Sequence, residues 1–261
     1  MKKLSETKQI LEFINNKEKM VVMLAPSFLV DFSYPEIIGK LKRLGFDYVV
    51  EVSAGAIETN KQLKSLLKLN PNKKYISSAC PGIVQLIKSN HPELVDFLAP
   101  IDTPMMATAK IVQKKYPSHK KVFIGPCLMK KIEAQENSEL DILVLTYKEI
   151  AEVFRIKKIG EKKQDSSCSF DIVGLETRLY PISGGLAQSS GIVKALTDPE
   201  WDVISGKNLV ERMIRKFPNN PEIKILDILF CDGGCINGPG IISKDSLDSH
   251  RKKIINHWMN K

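Results

Sequence analysis

Cys231 and Cys235 are separated by three residues in the run Leu229-Phe-Cys-Asp-Gly-Gly-Cys-Ile-Asn-Gly-Pro-Gly240. Glycine lets a backbone approach a bulky object closely and adopt positive φ. It also bares amide N–H groups that can hydrogen-bond anionic atoms. Thiolates are the usual protein ligands of iron–sulfur clusters, and a cluster with inorganic sulfide is such an object. Cys127 lies in Ile124-Gly-Pro-Cys-Leu-Met-Lys-Lys-Ile-Glu133. On a helix, Cys127, Lys130 and Glu133 would share roughly one face, and a lysine beside a thiolate offsets its charge. Cys80 lies in Ser77-Ser-Ala-Cys-Pro-Gly82. The fifth cysteine, Cys168, sits in a polar stretch without glycine or proline and reads as a non-ligand.

Each cysteine has a plainer reading. A lone Cys80 or Cys127 would more often be a small buried hydrophobe. A glycine-flanked pair such as Cys231 and Cys235 is poor core material. Four sulfurs could also hold zinc, but structural zinc sites usually come as two close pairs. Here two of the four are singletons. The histidines offer no metal pair, and His250 and His257, seven apart on the last helix, read as surface positions. Ser183-Gly-Gly185 is too short for a phosphate loop, and no dinucleotide or Walker motif occurs.

The elements that must position these residues alternate. Strands are expected at 20–25, 47–52, 74–78, 121–125, 141–145 and 223–230. Helices are expected after Pro26-Ser27 and at 56–69, 81–89, 104–115, 147–155, 184–197, 207–216 and 244–259. Ile57, Leu63, Leu66 and Leu67 form the apolar stripe of the 56–69 helix. Such alternation argues for an α/β fold with mostly parallel sheets flanked by helices. The reading is one domain over 1–261, with lobes at 20–118 and 119–225 and a segment 226–261 closing the site. Cys80, Cys127 and Cys231 each follow an expected strand, where ligands of open parallel sheets gather.

The chain has 261 residues and a net charge of +9, nearly all of it from lysine. Acidic residues are interspersed, so the plain reading is a solvated surface. The excess could also attract an acidic partner. No zinc-finger, helix-turn-helix or aromatic RNA-binding signature supports nucleic acid. The N-terminus lacks the pattern of a signal peptide, and no apolar run is long enough to span a bilayer. A cytoplasmic protein is expected, in which five cysteines would not form a disulfide framework.

The three cysteine segments, in this order, resemble the catalytic domain of iron-only (FeFe) hydrogenases. That family carries Thr-Ser-Cys-Cys-Pro-Gly, then Met-Pro-Cys-x-x-Lys-x-x-Glu, then Glu-x-x-x-Cys-x-Gly-Gly-Cys. Leu24-Ala-Pro-Ser27 and Ile182-Ser-Gly-Gly-Leu-Ala187 resemble further family segments, so the likeness spans roughly 20–240. It implies two α/β lobes with the cluster in the cleft between them. It implies that Cys80, Cys127, Cys231 and Cys235 ligate a 4Fe–4S cubane. Cys235 would also bridge to a di-iron subsite (together, the H-cluster), with Ala25, Pro26 and Lys130 against its cyanides. Lys130 and Glu133 match active-site positions.

The departures bear on activity. Ala79 replaces the family's proton-relaying cysteine and cannot exchange a proton. Gly125, Asp227, Leu229 and Thr103-Pro104-Met105 also differ from the family pattern. No Cys-x-x-Cys-x-x-Cys run for an electron wire occurs. The expectation is a hydrogenase-like iron–sulfur protein with redox, hydrogen-sensing or slow hydrogen-converting activity. Its partners would be a redox protein such as a ferredoxin, a signalling protein or hydrogenase maturation proteins. The alternative is a non-catalytic 4Fe–4S or zinc module for structure, cluster transfer or partner binding.

Overall fold

The computed structural model describes residues 5–260. Residues 1–4 and 261, the ends of the expected 1–261 domain, lie outside the described residues. The strands are β1 (Met20–Leu24), β2 (Tyr48–Glu51), β3 (Tyr75–Ile76), β4 (Lys120–Gly125), β5 (Ile142–Thr146), β6 (Trp201–Ser205) and β7 (Ile225–Leu229). The helices are α1 (Glu6–Asn15), α2 (Glu36–Leu44), α3 (Ser53–Leu69), α4 (Pro81–Asn90), α5 (Pro104–Lys115) and α6 (Met129–Glu136). They continue with α7 (Tyr147–Ile156), α8 (Gly185–Ser190), α9 (Ile192–Ala195), α10 (Lys207–Lys216) and α11 (Leu247–Met259). Short 3₁₀ turns join several of them.

Two parallel sheets result. The larger is ordered β2-β1-β4-β5 and the smaller β3-β7-β6. Every strand pair in both is parallel. Parallel strands covered on both faces read as continuous apolar runs, and β1, Met-Val-Val-Met-Leu, is buried throughout. The α/β class with parallel sheets flanked by helices is therefore the observed one. The expected division near residue 118 does not follow the sheets. β1, from before it, pairs with β4, from after it, so β2 and β5 lie on opposite edges of one sheet. Likewise β3 pairs with β7, so residues from 226 onward supply a central strand rather than only a closing segment.

Some details differ from the sequence reading. The 184–197 helix is two short helices, because Gly191 between them takes φ +74°. The strand β6 was not expected. On α3, Leu63 is buried but Ile57 is exposed, and the inward face is Ala54, Ala56, Thr59 and Asn60. The reason is close packing on α5: a Cβ on Gly55 would lie 2.4 Å from the Pro104 carbonyl oxygen. Only small residues fit that contact.

The last helix, α11, packs on the first 3₁₀ turn (Pro26–Val30), where the His257 ring meets Tyr34 at 4.9 Å and Phe28 at 6.3 Å. Its Nε2 is buried without a hydrogen-bond partner. Burial, and then the nearby Arg178 cation, lower its pKa from 6.5 to about 4. The folded state thus binds fewer protons than the unfolded chain across that window. The contribution is complete above pH 6.5 and is lost as pH falls towards 4. Urea midpoints of wild type and His257→Phe, measured at pH 7 and pH 5, check this. The wild type should lose more stability on acidification than the variant.

Candidate metal centre

The C-terminal ends of the parallel strands bring the cysteines together. Cys80 caps α4 just beyond β3. Cys127 follows β4, and Cys231 follows β7. Cys235 opens a 3₁₀ turn, Cys235–Asn237. All four are free and half-buried. A cavity of about 90 Å³ lies between the two sheets, and Cys80, Cys127 and Cys235 line it with Ala25, Pro26, Ala79 and Lys130. Cys231 is not among the lining residues, but it lies near enough to Cys80 and Cys127 for them to raise its pKa. Cys168 is elsewhere: it packs against the core beside Arg43 and is not among the lining residues.

Glycines allow the cysteine segments to touch. The Gly240 N–H donates to the Pro126 carbonyl at 2.7 Å, tying the Cys235 segment to the Cys127 segment. A Cβ at Gly238 or Gly240 would lie 2.9 or 2.8 Å from that oxygen. Gly233 and Gly234 take φ of +71° and +102° to turn the chain between Cys231 and Cys235. The same turn meets the Ser183-Gly-Gly185 segment, where Ser183 N–H donates to Gly233 at 3.1 Å. Gly82, after Cys80, lies under Phe230, the residue before Cys231.

Four thiols this close oppose each other's ionisation. Burial first, then Cys80 and Cys127, push Cys231 up to about 12. Burial and the other three thiols hold Cys235 well above its ordinary range. Burial and Cys80 raise Cys127, while Lys130 opposes the shift. The group is short of positive charge, and a cluster of iron cations would supply it. Among the described residues no group of three or more His, Cys, Asp and Glu could hold a single metal ion. Ligands of a cubane stand further apart, because irons and sulfides lie between them. The donor set of four thiols therefore fits an iron–sulfur cluster.

The rest of the wall is polar at chosen points. Buried Lys130 donates to Glu133 at 2.7 Å and Thr103 at 2.9 Å. Lys130 and Glu133 sit on α6, whereas Cys127 precedes that helix. Tyr147, the first residue of α7, donates to the Ala25 carbonyl at 3.0 Å and accepts from Ser27 at 2.7 Å. That pair fixes Ala25 and Pro26 at the cavity. Asp227 accepts from Ala187 N–H at 3.0 Å, and burial pushes its carboxyl up to about 6. Glu51 and Arg178, both buried, pair at 2.9 and 3.0 Å and pin the turn leading to Tyr180 and Pro181 in the cavity wall.

The structure thus gathers Ala25, Pro26, Ala79, Cys80, Cys127, Lys130, Cys231 and Cys235, with Glu133 behind Lys130. The sequence reading missed Tyr147 and the Glu51–Arg178 pair. Their partners lie over a hundred residues away, so no local pattern marks them.

The fold and this site define a hydrogenase-like iron–sulfur protein. Residues 18–209 match the family "Iron only hydrogenase large subunit, C-terminal domain", and the chain belongs to that family. The match includes Cys80 and Cys127 and stops short of Cys231 and Cys235. The chain is 25% identical to Iron hydrogenase 1 of Clostridium pasteurianum, over 90% of this chain and 52% of that protein. It therefore spans about half the length of that relative. It is 22% identical to "Probable cytosolic Fe-S cluster assembly factor oxy-4" of Caenorhabditis elegans, over 95% of this chain and 68% of that protein. A variant of FeFe-hydrogenase HydA1 from Chlamydomonas reinhardtii shares the fold at TM-score 0.72 and 17% identity, over 98% of this chain and 88% of that one.

Gly240→Ala tests the close approach of the cysteine segments. The new methyl would strike the Pro126 carbonyl and the Thr146 side chain, 2.8 and 2.9 Å away. Overpacking of this kind costs about 1–3 kcal/mol. Thermal unfolding of the metal-free protein should show a lowered midpoint.

Proposed function

We propose that Cys80, Cys127, Cys231 and Cys235 ligate a 4Fe–4S cubane, and that the chain is a redox or hydrogen-sensing protein rather than a fast hydrogenase. The single observation that carries this is the convergence of four thiols beside a cavity whose wall at position 79 is a methyl group. The cluster supplies one-electron chemistry when bound. The chain does the rest. Ala25, Pro26, Met105 and Leu229 keep the cavity apolar and exclude water. Lys130 places an ammonium at its edge, held there by Glu133 and Thr103. Ala79 offers no exchangeable proton, so proton delivery from that side is absent and hydrogen conversion would be slow.

The cavity next to Cys235, with Lys130 and the Ala25-Pro26 backbone, also leaves a place for the di-iron subsite of an H-cluster. That subsite would require hydrogenase maturation proteins. Electrons would come from a separate redox partner, such as a ferredoxin. The lysine-rich chain, at net charge +9, suits an acidic one. Among the described residues no helix is long and apolar enough to cross a membrane. With relatives named as cytosolic factors, we place the chain in the cytoplasm.

A second reading is a non-catalytic iron–sulfur protein of cluster assembly. It is favoured by the curated relatives named as assembly factors, one matched over 95% of this chain. Infrared spectra of protein co-produced with the hydrogenase assembly enzymes separate the two. Carbonyl and cyanide bands would support the H-cluster; their absence would leave a cubane-only protein and favour the second reading.

The ligand assignment has its own test. Cys127→Ser and Cys231→Ser should lose the visible absorption of the cluster after anaerobic reconstitution, and Cys168→Ser should keep it. Equal loss in Cys168→Ser would show the assignment to be wrong.

A further inference from the structure

His250 departs from the surface position expected of it. It is 3% exposed, on the first turns of α11. Its Nδ1 lies 2.9 Å from the Ile236 carbonyl oxygen and its Nε2 lies 3.1 Å from the Ser243 hydroxyl. A carbonyl oxygen only accepts, so Nδ1 carries the proton. In the neutral ring Nε2 then accepts from Ser243. Ile236 is the residue after Cys235. Ser243 in turn donates its backbone N–H to Asp31 at 2.8 Å, and the Ile242 N–H donates to the same carboxylate at 3.0 Å. Asp31 ends the 3₁₀ turn that begins at Pro26. One chain of hydrogen bonds therefore joins the Cys235 loop, through His250, to the Ala25-Pro26 segment.

The start of α11 also presses on the other half of the loop. A Cβ at Gly233 would lie 2.5 Å from Leu247 Cδ1, so Leu247 covers the glycine turn. Lys253, further along α11, donates to the Val30 carbonyl at 3.1 Å. The helix thus grips both the loop carrying Cys231 and Cys235 and the segment opposite.

We infer that His250 is a positioning residue that orients the Cys235 thiol by holding the Ile236 carbonyl, with α11 as the clasp that ties this loop to the Ala25-Pro26 wall. The inference rests on the proposal that Cys235 is a cluster ligand. Partners that orient a metal ligand matter nearly as much as the ligand itself, and their loss costs about 10–100-fold in metal affinity. Nothing in the Cys-Asp-Gly-Gly-Cys segment identifies this partner, because it lies beyond the motif and on another element.

Two substitutions separate orientation from packing. In His250→Asn the amide nitrogen stands the same number of bonds from Cβ as Nδ1, so it can still donate to Ile236. In His250→Gln the amide nitrogen matches Nε2 and leaves Ile236 without its donor. The probe is chelator-driven loss of the reconstituted cluster under anaerobic conditions, read with its electron paramagnetic resonance spectrum. His250→Gln should lose the cluster about tenfold faster than wild type and shift the spectrum, whereas His250→Asn stays near wild type. Equal rates in all three proteins, or equal impairment of both variants, would overturn the inference. If His250→Gln does not fold, Ser243→Ala serves in its place, since it frees the ring to turn from Ile236; unchanged cluster loss there would overturn the inference too. Amide hydrogen exchange of residues 233–238 in the metal-free proteins provides a readout that needs no cluster. Faster exchange in His250→Gln than in His250→Asn is expected, and no difference counts against the clasp. Wild-type protein that takes up no iron would instead refute the proposed function and leave this exchange result standing.

Discussion

Four thiols crowded into one partly buried space cannot ionise together unless positive charge lies among them. This constraint organises the structure. Cys231 and Cys235 are pushed far above the usual thiol range by burial and by the other cysteines. Lys130 opposes part of the shift at Cys235, but its ammonium is shared with Glu133 and Thr103. A bound cationic cluster would make up the remainder, and metal binding and thiolate formation would then proceed together. The empty protein holds these thiols neutral, and binding a cluster would release their protons.

The two sheets exist, for this purpose, to deliver ends of strands. β3 and β7 are neighbours in one sheet, and β4 lies inside the other. Their C-terminal ends face one cavity, so cysteines remote in sequence become neighbours. Glycine does the final adjustment at Gly238 and Gly240, whose missing side chains let two cysteine segments touch at Pro126. The buried Glu51–Arg178 pair and Tyr147 hold the opposite wall. A buried ion pair of this sort is weak evidence for stability as such; here it fixes the place of the turn before Tyr180 and Pro181.

Much of this was legible in the sequence, and the reasons are physical. Fully buried parallel strands announce themselves as apolar runs, so β1, β4 and β7 were readable. The cysteine segments were readable because glycine and proline have few uses at such density. The sheet membership was not. Pairing between parallel strands depends on crossovers, and a sequential reading placed the division near residue 118, where the sheets do not divide. The face of α3 was misjudged because Gly55 allows α5 to approach so closely that alanine and threonine, not Ile57, point inward. Tyr147, Arg178 and His250 were missed because each acts on a partner that only the folded chain supplies.

In the proposed function, position 79 is what separates this chain from a fast hydrogenase, since a methyl group cannot pass a proton. The cubane claim is independent of that point and rests on the four thiols alone. X-ray absorption at the iron and zinc edges of anaerobically purified protein tests it most directly. The account predicts iron in a shell of sulfur, with neighbouring iron scatterers and about four irons per chain. Zinc alone at the site, or iron bound mainly by nitrogen and oxygen, would contradict it.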